Sequence, residues 1–269
     1  MIGLLLAAAL LYVGAVTLLY YNQRLLLFPV WKGNGRHAAP DPGYREISFT
    51  SHDGVPVRAF YHPAAPGRPT ILFYHGNAGS LIGSQSMMQP FVAAGFGALL
   101  PEYRGYGGGP GSPSETGFHA DGLAARAWLA RSGVSADRTV LFGYSLGTGL
   151  AAALAAEQPP AALVLVAPYS SIPHVAAEHY PFVPTEWLVI DRFDTLARLP
   201  HVAAPILIVH GTADRTVPFD NGAALAAAVP RATFLKIDGA GHGLIRDPAI
   251  RDRMLRWIVA RVSDRGNRP

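Results

Sequence analysis

The pattern that most narrows the folds open to this chain is an alternation. Short apolar runs ending near Tyr74, Pro101, Tyr144, Val166, His210 and Ile237 are separated by segments of helical composition. Runs of Val, Ile, Leu and Phe this short suit strands buried on both faces, as parallel strands are. Parallel neighbours need a crossover, and the usual crossover is a helix. Helices are expected near Gln85–Ala94, from Ser114 or Glu115 to Ala130, over "LAAALAAE" (150–157), near Asn221–Ala228, and after Asp247, which would cap a helix begun by Pro248. Ahead of them, "REISFTS" and "VPVRAFYHP" flank Asp53-Gly54 as a hairpin. The expected architecture is α/β: a mostly parallel central sheet, helices on both faces, and an antiparallel edge. Functional loops of such sheets gather beyond the C-terminal ends of the strands. The loops at His75-Gly76, Gly105 onward, Ser145, Asp214 and His242 all fall there.

One of these loops is "LFGYSLGTGL" (141–150), in which a strand becomes a helix around a single hydroxyl. A sharp strand-to-helix turn strains its central residue. It also brings strand and helix so close that the residues two positions away must lack side chains. G-x-S-x-G is that pattern, and it lifts the serine clear of the sheet. The helix N-terminus offers unpaired N–H groups and a positive dipole end to a developing oxyanion. A Gly-rich turn with a helix-capping serine reads the same five residues. Serine alone is a weak nucleophile, so the partners decide between the readings.

Asp214 in "VHGTADRTVP" follows the run Ile206–His210, and His242 in "IDGAGHGL" follows the last strand. A carboxylate placed there can accept from a histidine ring and fix its tautomer, and a loop histidine can reach the serine hydroxyl. Asp220 is the alternative acid, although its place near a helix start points to capping. His75 and His210 follow strands, precede glycine, and read as structural histidines bonded to backbone. His62, His174, His179 and His201 read as surface residues. The chain order Ser145, Asp214, His242, each after its own strand, is that of the α/β-hydrolase triad. "YHGNAGS" (74–80) follows the third strand with glycines that permit close approach. Asn77 N–H is the first candidate oxyanion donor and Leu146 N–H the second. The loop lacks the Lys-Ser/Thr of a phosphate-binding P-loop.

Together, "FYHGNAG", "YRGYG", "GSPSE", "GYSLGTG", "HGTADRTVP" and "GAGH" resemble the motifs of α/β-hydrolases. More narrowly they are similar to membrane-anchored serine hydrolases, a group that includes the eukaryotic abhydrolase-domain protein depalmitoylases and fungal polarity-related homologues. The resemblance runs from Arg24 to Ile258 and implies the α/β-hydrolase fold. It implies Ser145 as nucleophile, Asp214 as acid and His242 as base, cleaving esters or thioesters through an acyl-enzyme with no metal or cofactor. Two positions depart from it. Glu102 stands where the family has Asp, and the stretch Gly107–Gly109 is unusually glycine-rich. An interaction protein on an inactive hydrolase scaffold is the alternative. Segment 170–198 is expected as an irregular cap over the site, its "EHYPFVPTEWLVIDRF" forming an apolar roof for acylated or lipid-like substrates.

The N-terminus differs from the rest. Ile2–Tyr21 carries no charged side chain, and about 20 helical residues cross the roughly 30 Å hydrocarbon layer. Tyr20 and Tyr21 sit where an interfacial aromatic belt would lie. A cleaved signal peptide is the rival reading. Here, however, no Lys or Arg precedes the core, the core is long, and "YYNQRLLLFP" follows it. Arg24, Lys32 and Arg36 follow the span and favour a cytoplasmic catalytic domain, but one span with an uncharged tail leaves the orientation open. The expected division is an anchor (1–23), a connector (24–44), a hydrolase domain (45–264) with the cap at 170–198, and a tail (265–269).

Net charge is +4, with the arginines dispersed except near the C-terminus. There Ile250, Met254, Trp257 and Ile258 recur at helical spacing, which reads as an amphipathic helix with a solvated arginine face rather than a nucleic-acid surface. Arginine-, alanine- and glycine-rich usage suggests a GC-rich bacterial genome. The absence of cysteine excludes a disulfide framework, a Cys nucleophile and thiolate metal sites.

Overall fold

A computed structural model describes residues 1–30 and 39–263. Lys32 and Arg36, invoked for orientation, and the expected tail lie outside the described residues. The strands are β1 (Arg45–Thr50), β2 (Pro56–His62), β3 (Thr70–Tyr74), β4 (Gly97–Pro101), β5 (Thr139–Tyr144), β6 (Ala162–Val166), β7 (Ile206–Gly211) and β8 (Thr233–Ile237). They form one sheet in the order β1-β2-β4-β3-β5-β6-β7-β8. β2 pairs antiparallel with β1 and β4, and every other pairing is parallel. The order reverses between β3 and β5. A crevice opens at such a switch point, beyond the C-terminal strand ends.

The helices are α1 (Ile2–Leu27), α2 (Leu81–Ala93), α3 (Glu115–Arg131), α4 (Leu146–Glu157), α5 (Ile172–His179), α6 (Thr185–Leu188), α7 (Thr195–Arg198), α8 (Phe219–Ala228) and α9 (Pro248–Ser263). The two-residue period of the central strands divides the core. Leu72, Leu141, Leu163 and Ile208 pack on the face carrying α3, α4 and α8. Ile71, Phe73, Val140, Phe142 and Leu207 pack on the face carrying α2 and α9. This two-faced burial explains why these strands read as continuous apolar runs.

Local chemistry sets where the helices start. Ser80, Ser114, Ser171 and Asp194 each accept a backbone N–H at the start of α2, α3, α5 and α7. The Ser80 cap starts α2 at Leu81, earlier than the expected Gln85. Segment 170–198 is not irregular: it folds into α5, α6 and α7, the first opened by Ser171 with proline in its first turn. Asp247 Oδ1 accepts from Ala249 N–H (2.8 Å) where α9 begins. In α9, Ile250, Met254 and Ile258 are buried while Arg253 and Arg256 are exposed. Asp220 does not cap α8. It is exposed in the first turn, and the cap position is Pro218.

Helix α1 has 26 residues, none of them buried. At 1.5 Å per residue it is roughly 39 Å long. From Tyr12 onward it is nonetheless tied to the body. Arg24 forms a two-pronged ion pair with the buried Asp191 (2.7 and 3.2 Å). Gln23 donates to the Leu188 carbonyl (3.2 Å) and accepts from Ile190 N–H (2.8 Å). Tyr12 OH donates to the Phe182 carbonyl (2.7 Å). Phe28, just past the helix, is buried with its ring edge-on to Phe118 (5.3 Å) and Phe193 (6.4 Å). The expected connector therefore begins inside the helix and enters the core at once.

Candidate active site

Ser145 occupies the corner between β5 and α4 with φ +51° and ψ −118°. Among the described residues only Ala167 and Phe193 are other non-glycines at positive φ. A residue held there stores about 1–3 kcal/mol of strain, which the surroundings must enforce. Both flanking glycines are required. A Cβ on Gly143 would lie 2.5 Å from the Gly147 carbonyl oxygen, and a Cβ on Gly147 would overlap the Tyr74 carbonyl of β3. The serine backbone is pinned by Ser145 N–H to the Val166 carbonyl (2.9 Å), and Thr148 Oγ1 donates to the Ser145 carbonyl (2.6 Å).

Three of the expected site residues meet here. His242 Nε2 is 3.0 Å from Ser145 Oγ, and His242 Nδ1 is 2.8 Å from Asp214 Oδ2. A carboxylate can only accept, so the pairing places a proton on Nδ1 and leaves Nε2 to accept from the serine. Asp214 Oδ1 accepts from the N–H groups of Thr216 (2.8 Å) and Val217 (3.0 Å). His210 stands behind it, fully buried, with Nε2 3.0 Å from the Val217 carbonyl and 3.5 Å from Asp214 Oδ2. Burial pushes the Asp214 carboxyl up, but His210, His242 and the Val217 N–H together outweigh that and hold it well below the usual carboxylate range. Asp220 lies outside this cluster.

The loop after β3 passes over the serine: a Cβ on Gly76 would lie 3.3 Å from Ser145 Cβ. The next residue is Asn77, whose side chain is held at both ends. Its Oδ1 accepts from Tyr106 OH (2.7 Å), and its Nδ2 donates to the Leu27 carbonyl (2.5 Å) at the end of α1. Leu146 is the first residue of α4, where N–H groups have no intrahelical acceptor. The two expected oxyanion donors thus belong to segments that border Ser145 on two sides.

Beneath the loop, Tyr103 OH donates to the His75 carbonyl (2.8 Å). The buried His75 ring reaches the Gly76 carbonyl through Nδ1 (2.8 Å) and Glu102 Oε1 through Nε2 (2.9 Å). His75 and His210 are bonded to backbone as expected, but each also faces a buried carboxylate. The role of Glu102 went unread: its longer side chain spans the gap to His75. Tyr144 was missed as well. It fills the variable position before the serine, is half-buried, and donates to the His242 carbonyl (3.1 Å), steadying the histidine loop. Burial raises its phenol pKa. Arg104 of "YRGYG" bonds Asp121 (2.6 and 2.9 Å) and Asp53 (2.6 and 3.1 Å), joining this loop to α3 and the hairpin. His174, His179 and His201 are exposed and His62 is half-buried, and none of the four bonds Ser145, Asp214 or His242. Among the described residues no cluster of three or more His, Asp or Glu could hold a metal.

Two family models match, one described as alpha/beta hydrolase fold over residues 69–197 and one as TAP-like protein over 185–265. An uncharacterised protein of Mycobacterium tuberculosis is 36% identical over 249 residues, covering 91% of this chain and 88% of that protein. The mouse alpha/beta hydrolase domain-containing protein 17C is 35% identical across 73% of this chain and 61% of its own length. The rat lysophosphatidylserine lipase ABHD12 is 34% identical across 63% of this chain and 48% of its own length. The chain therefore spans less than two thirds of either mammalian relative. Of solved structures, the alpha/beta hydrolase GrgF from Penicillium sp. sh18 superposes with TM-score 0.65 at 18% identity, covering 82% of this chain and 99% of that one. At that identity the likeness speaks for the fold.

The lowered Asp214 pKa has a testable consequence. An unfolded Asp titrates near about 3.9, so a depressed folded value contributes stability that is complete above that pH and lost as pH falls through the folded value. The stability advantage of the wild type over Asp214→Asn should shrink progressively from about pH 5 down to about pH 2. Unfolding midpoints across that window measure it. A constant advantage would show that the carboxyl is not held low.

Proposed function

The chain belongs to the α/β-hydrolase superfamily, and from that premise we propose that it is a serine hydrolase cleaving esters or thioesters of acylated, lipid-like substrates. One observation carries this reading: a serine strained onto an elbow, with His242 and Asp214 aligned behind it at 3.0 and 2.8 Å. In the proposed reaction Ser145 Oγ attacks the acyl carbonyl while His242 Nε2 takes its proton. Asp214 orients the ring and stabilises the imidazolium. The N–H groups of Asn77 and Leu146 receive the oxyanion. Collapse of the tetrahedral adduct expels the alcohol or thiol, which leaves with the proton from His242. Water then attacks the acyl-enzyme, His242 again serving as base, and the acid departs.

Two observations support a lipid-like substrate. A relative over more than half of this chain is named a lysophosphatidylserine lipase. The cap also presents Phe182 and Trp187 to the exterior at 85% and 90% exposure. The same reading makes α1 a membrane anchor. The mean hydropathy of its most apolar 18-residue stretch is 2.4, and Leu4, Leu5, Leu10 and Leu11 are all exposed. A surface this apolar along a helix roughly 39 Å long calls for lipid rather than water.

Ser145→Ala should remove turnover of an ester and thioester panel, with a loss approaching about a millionfold where the triad acts as a unit. Asp214→Asn should cost on the order of ten-thousandfold with folding intact, since it traps the wrong histidine tautomer. Asp220→Asn should stay near wild type. Retention of more than roughly a tenth of activity by Ser145→Ala would contradict the assignment, given the expected loss. Damage from Asp220→Asn with Asp214→Asn unharmed would move the acid.

For the anchor, the full chain should stay with membranes through an alkaline wash and be extracted only by detergent. Recovery of a soluble mature form beginning after residue 21 would identify a signal peptide instead.

A further inference from the structure

Between α1 and the cap helices lies a cavity of about 270 Å³, separate from the polar cluster at Ser145. One wall is the N-terminal helix, through Leu19, Leu26 and Leu27, and the facing wall is α5, through Ile172, Val175 and Ala176. Several polar groups on its boundary are already engaged. Thr185 Oγ1 donates to the Pro173 carbonyl (2.9 Å), and the Gln23 amide is bound to Leu188 and Ile190. A polar ligand would find few partners in it, whereas a hydrocarbon chain would meet apolar side chains on both sides.

Its ends connect to the loops around the serine. The Leu27 carbonyl accepts from Asn77 Nδ2 of the candidate oxyanion loop. At the other end of α5, His179 Nε2 reaches the Thr216 carbonyl (3.2 Å), and Thr216 N–H donates to Asp214 Oδ1 (2.8 Å). Helix α5 itself opens directly after the loop that follows β6. Walls of the cavity are therefore one hydrogen bond away from the oxyanion loop and from the acid loop. The cavity thus lies beside the two loops that flank the serine.

The opposite side faces the surroundings of α1. Tyr12 OH holds the Phe182 carbonyl (2.7 Å), so the cap tip lies beside the middle of the helix. Tyr12 is roughly 14 Å along the axis from Tyr21, at 1.5 Å per residue. With α1 spanning a bilayer, that level is below the headgroups, so the exposed Phe182 would enter the leaflet, while the exposed Trp187, next to the Leu188 carbonyl bonded to Gln23, would lie near the interface.

We propose that this cavity binds a single unbranched hydrocarbon chain of the substrate, entering sideways from the leaflet, with α1 as one wall of the site. The proposal rests on the serine-hydrolase reading and deepens it: the anchor is part of the substrate site as well as a tether. The cavity, at about 270 Å³, is sized for one chain of medium length, which makes a ten-carbon acid a suitable probe. Each buried methylene contributes about 0.8 kcal/mol, or roughly fourfold in affinity, until the cavity is full.

The test uses the full chain in lipid nanodiscs, carrying Ser145→Ala so that binding is read without turnover. The probe is decanoic acid with a diazirine at its far end, photolysed and mapped by peptide mass spectrometry. Adducts are expected on 19–27 and 172–176, in addition to the lipid-facing stretch 4–11. Unlabelled decanoic acid should suppress the first two sets and spare the third. Ala176→Trp on one wall, or Leu26→Trp on the other, should reduce the cavity adducts by about tenfold or more, as expected when two or more methylenes lose their place. Thermal midpoints matching the parent identify the variants that are folded, and the competition experiment needs neither substitution. Adducts confined to 4–11, adducts in the cavity segments that decanoic acid does not displace, or adducts that persist in a folded filled variant would each overturn the proposal. Such a result would leave the Ser145 and Asp214 kinetics standing. A kinetic failure at Ser145 would likewise leave the adduct map standing.

Discussion

Helix α4 runs back against β3 and β5 with no room for a side chain at Gly143 or Gly147. That contact is what holds Ser145 at φ +51°, a conformation its own backbone would not choose. The strain is offset by the buried pairing of β3, β5 and β6, whose strands are fully enclosed between two layers of helices. Loosening of the strand–helix contact would let the serine relax into an ordinary helix start. Its hydroxyl would then leave the line that runs through His242 to Asp214. The apolar core and the position of one oxygen atom are therefore coupled through two glycines.

Around that corner the loops are held by buried polar groups whose partners are distant in sequence. Arg104 joins the loop after β4 to Asp53 and Asp121, and Glu102 reaches His75 under the loop that carries Asn77. Asp214 is oriented by two backbone donors and backed by His210. Apart from the exposed Asp53, these carboxylates and ring nitrogens are buried, and pairing them offsets a desolvation cost that is high in a low-dielectric interior. Their common effect is to fix loops that carry no regular backbone pairing of their own. Helix α1 enters the same system through the Leu27 carbonyl and the Arg24–Asp191 pair.

Much of this was legible in the residues. β6 and β8 were read with their observed ends: two-faced burial writes β6 as an uninterrupted apolar run, while the half-buried edge strand β8 keeps Phe234, Leu235 and Ile237 around an exposed Lys236. Ser145, Asp214 and His242 could be chosen because each follows a strand, and the architecture collects strand ends at one edge. The start of α2 was misplaced because Ser80 is a cap inside a glycine loop, where apolar period is silent. The segment 170–198 looked irregular because α6 and α7 have four residues each, too short to show a helical period. The Glu102–His75 and Tyr144–His242 contacts join residues far apart in the chain, and composition carries no trace of them. The docking of α1 on the cap was hidden for the same reason. An apolar stretch announces a helix, but Arg24 and Asp191 stand 167 positions apart, so nothing local in the chain marks their pairing.

The proposed chemistry stands on the alignment of three side chains, and the most direct measurement is covalent. The full chain is treated in detergent with a fluorophosphonate, and the adduct is weighed in the intact protein and located by peptide mapping. Serine activated through His242 should give one adduct per chain, on Ser145, and His242→Ala should form it far more slowly while remaining folded. Absence of an adduct on Ser145 in the folded wild type, or equal labelling rates with and without the His242 ring, would contradict the triad.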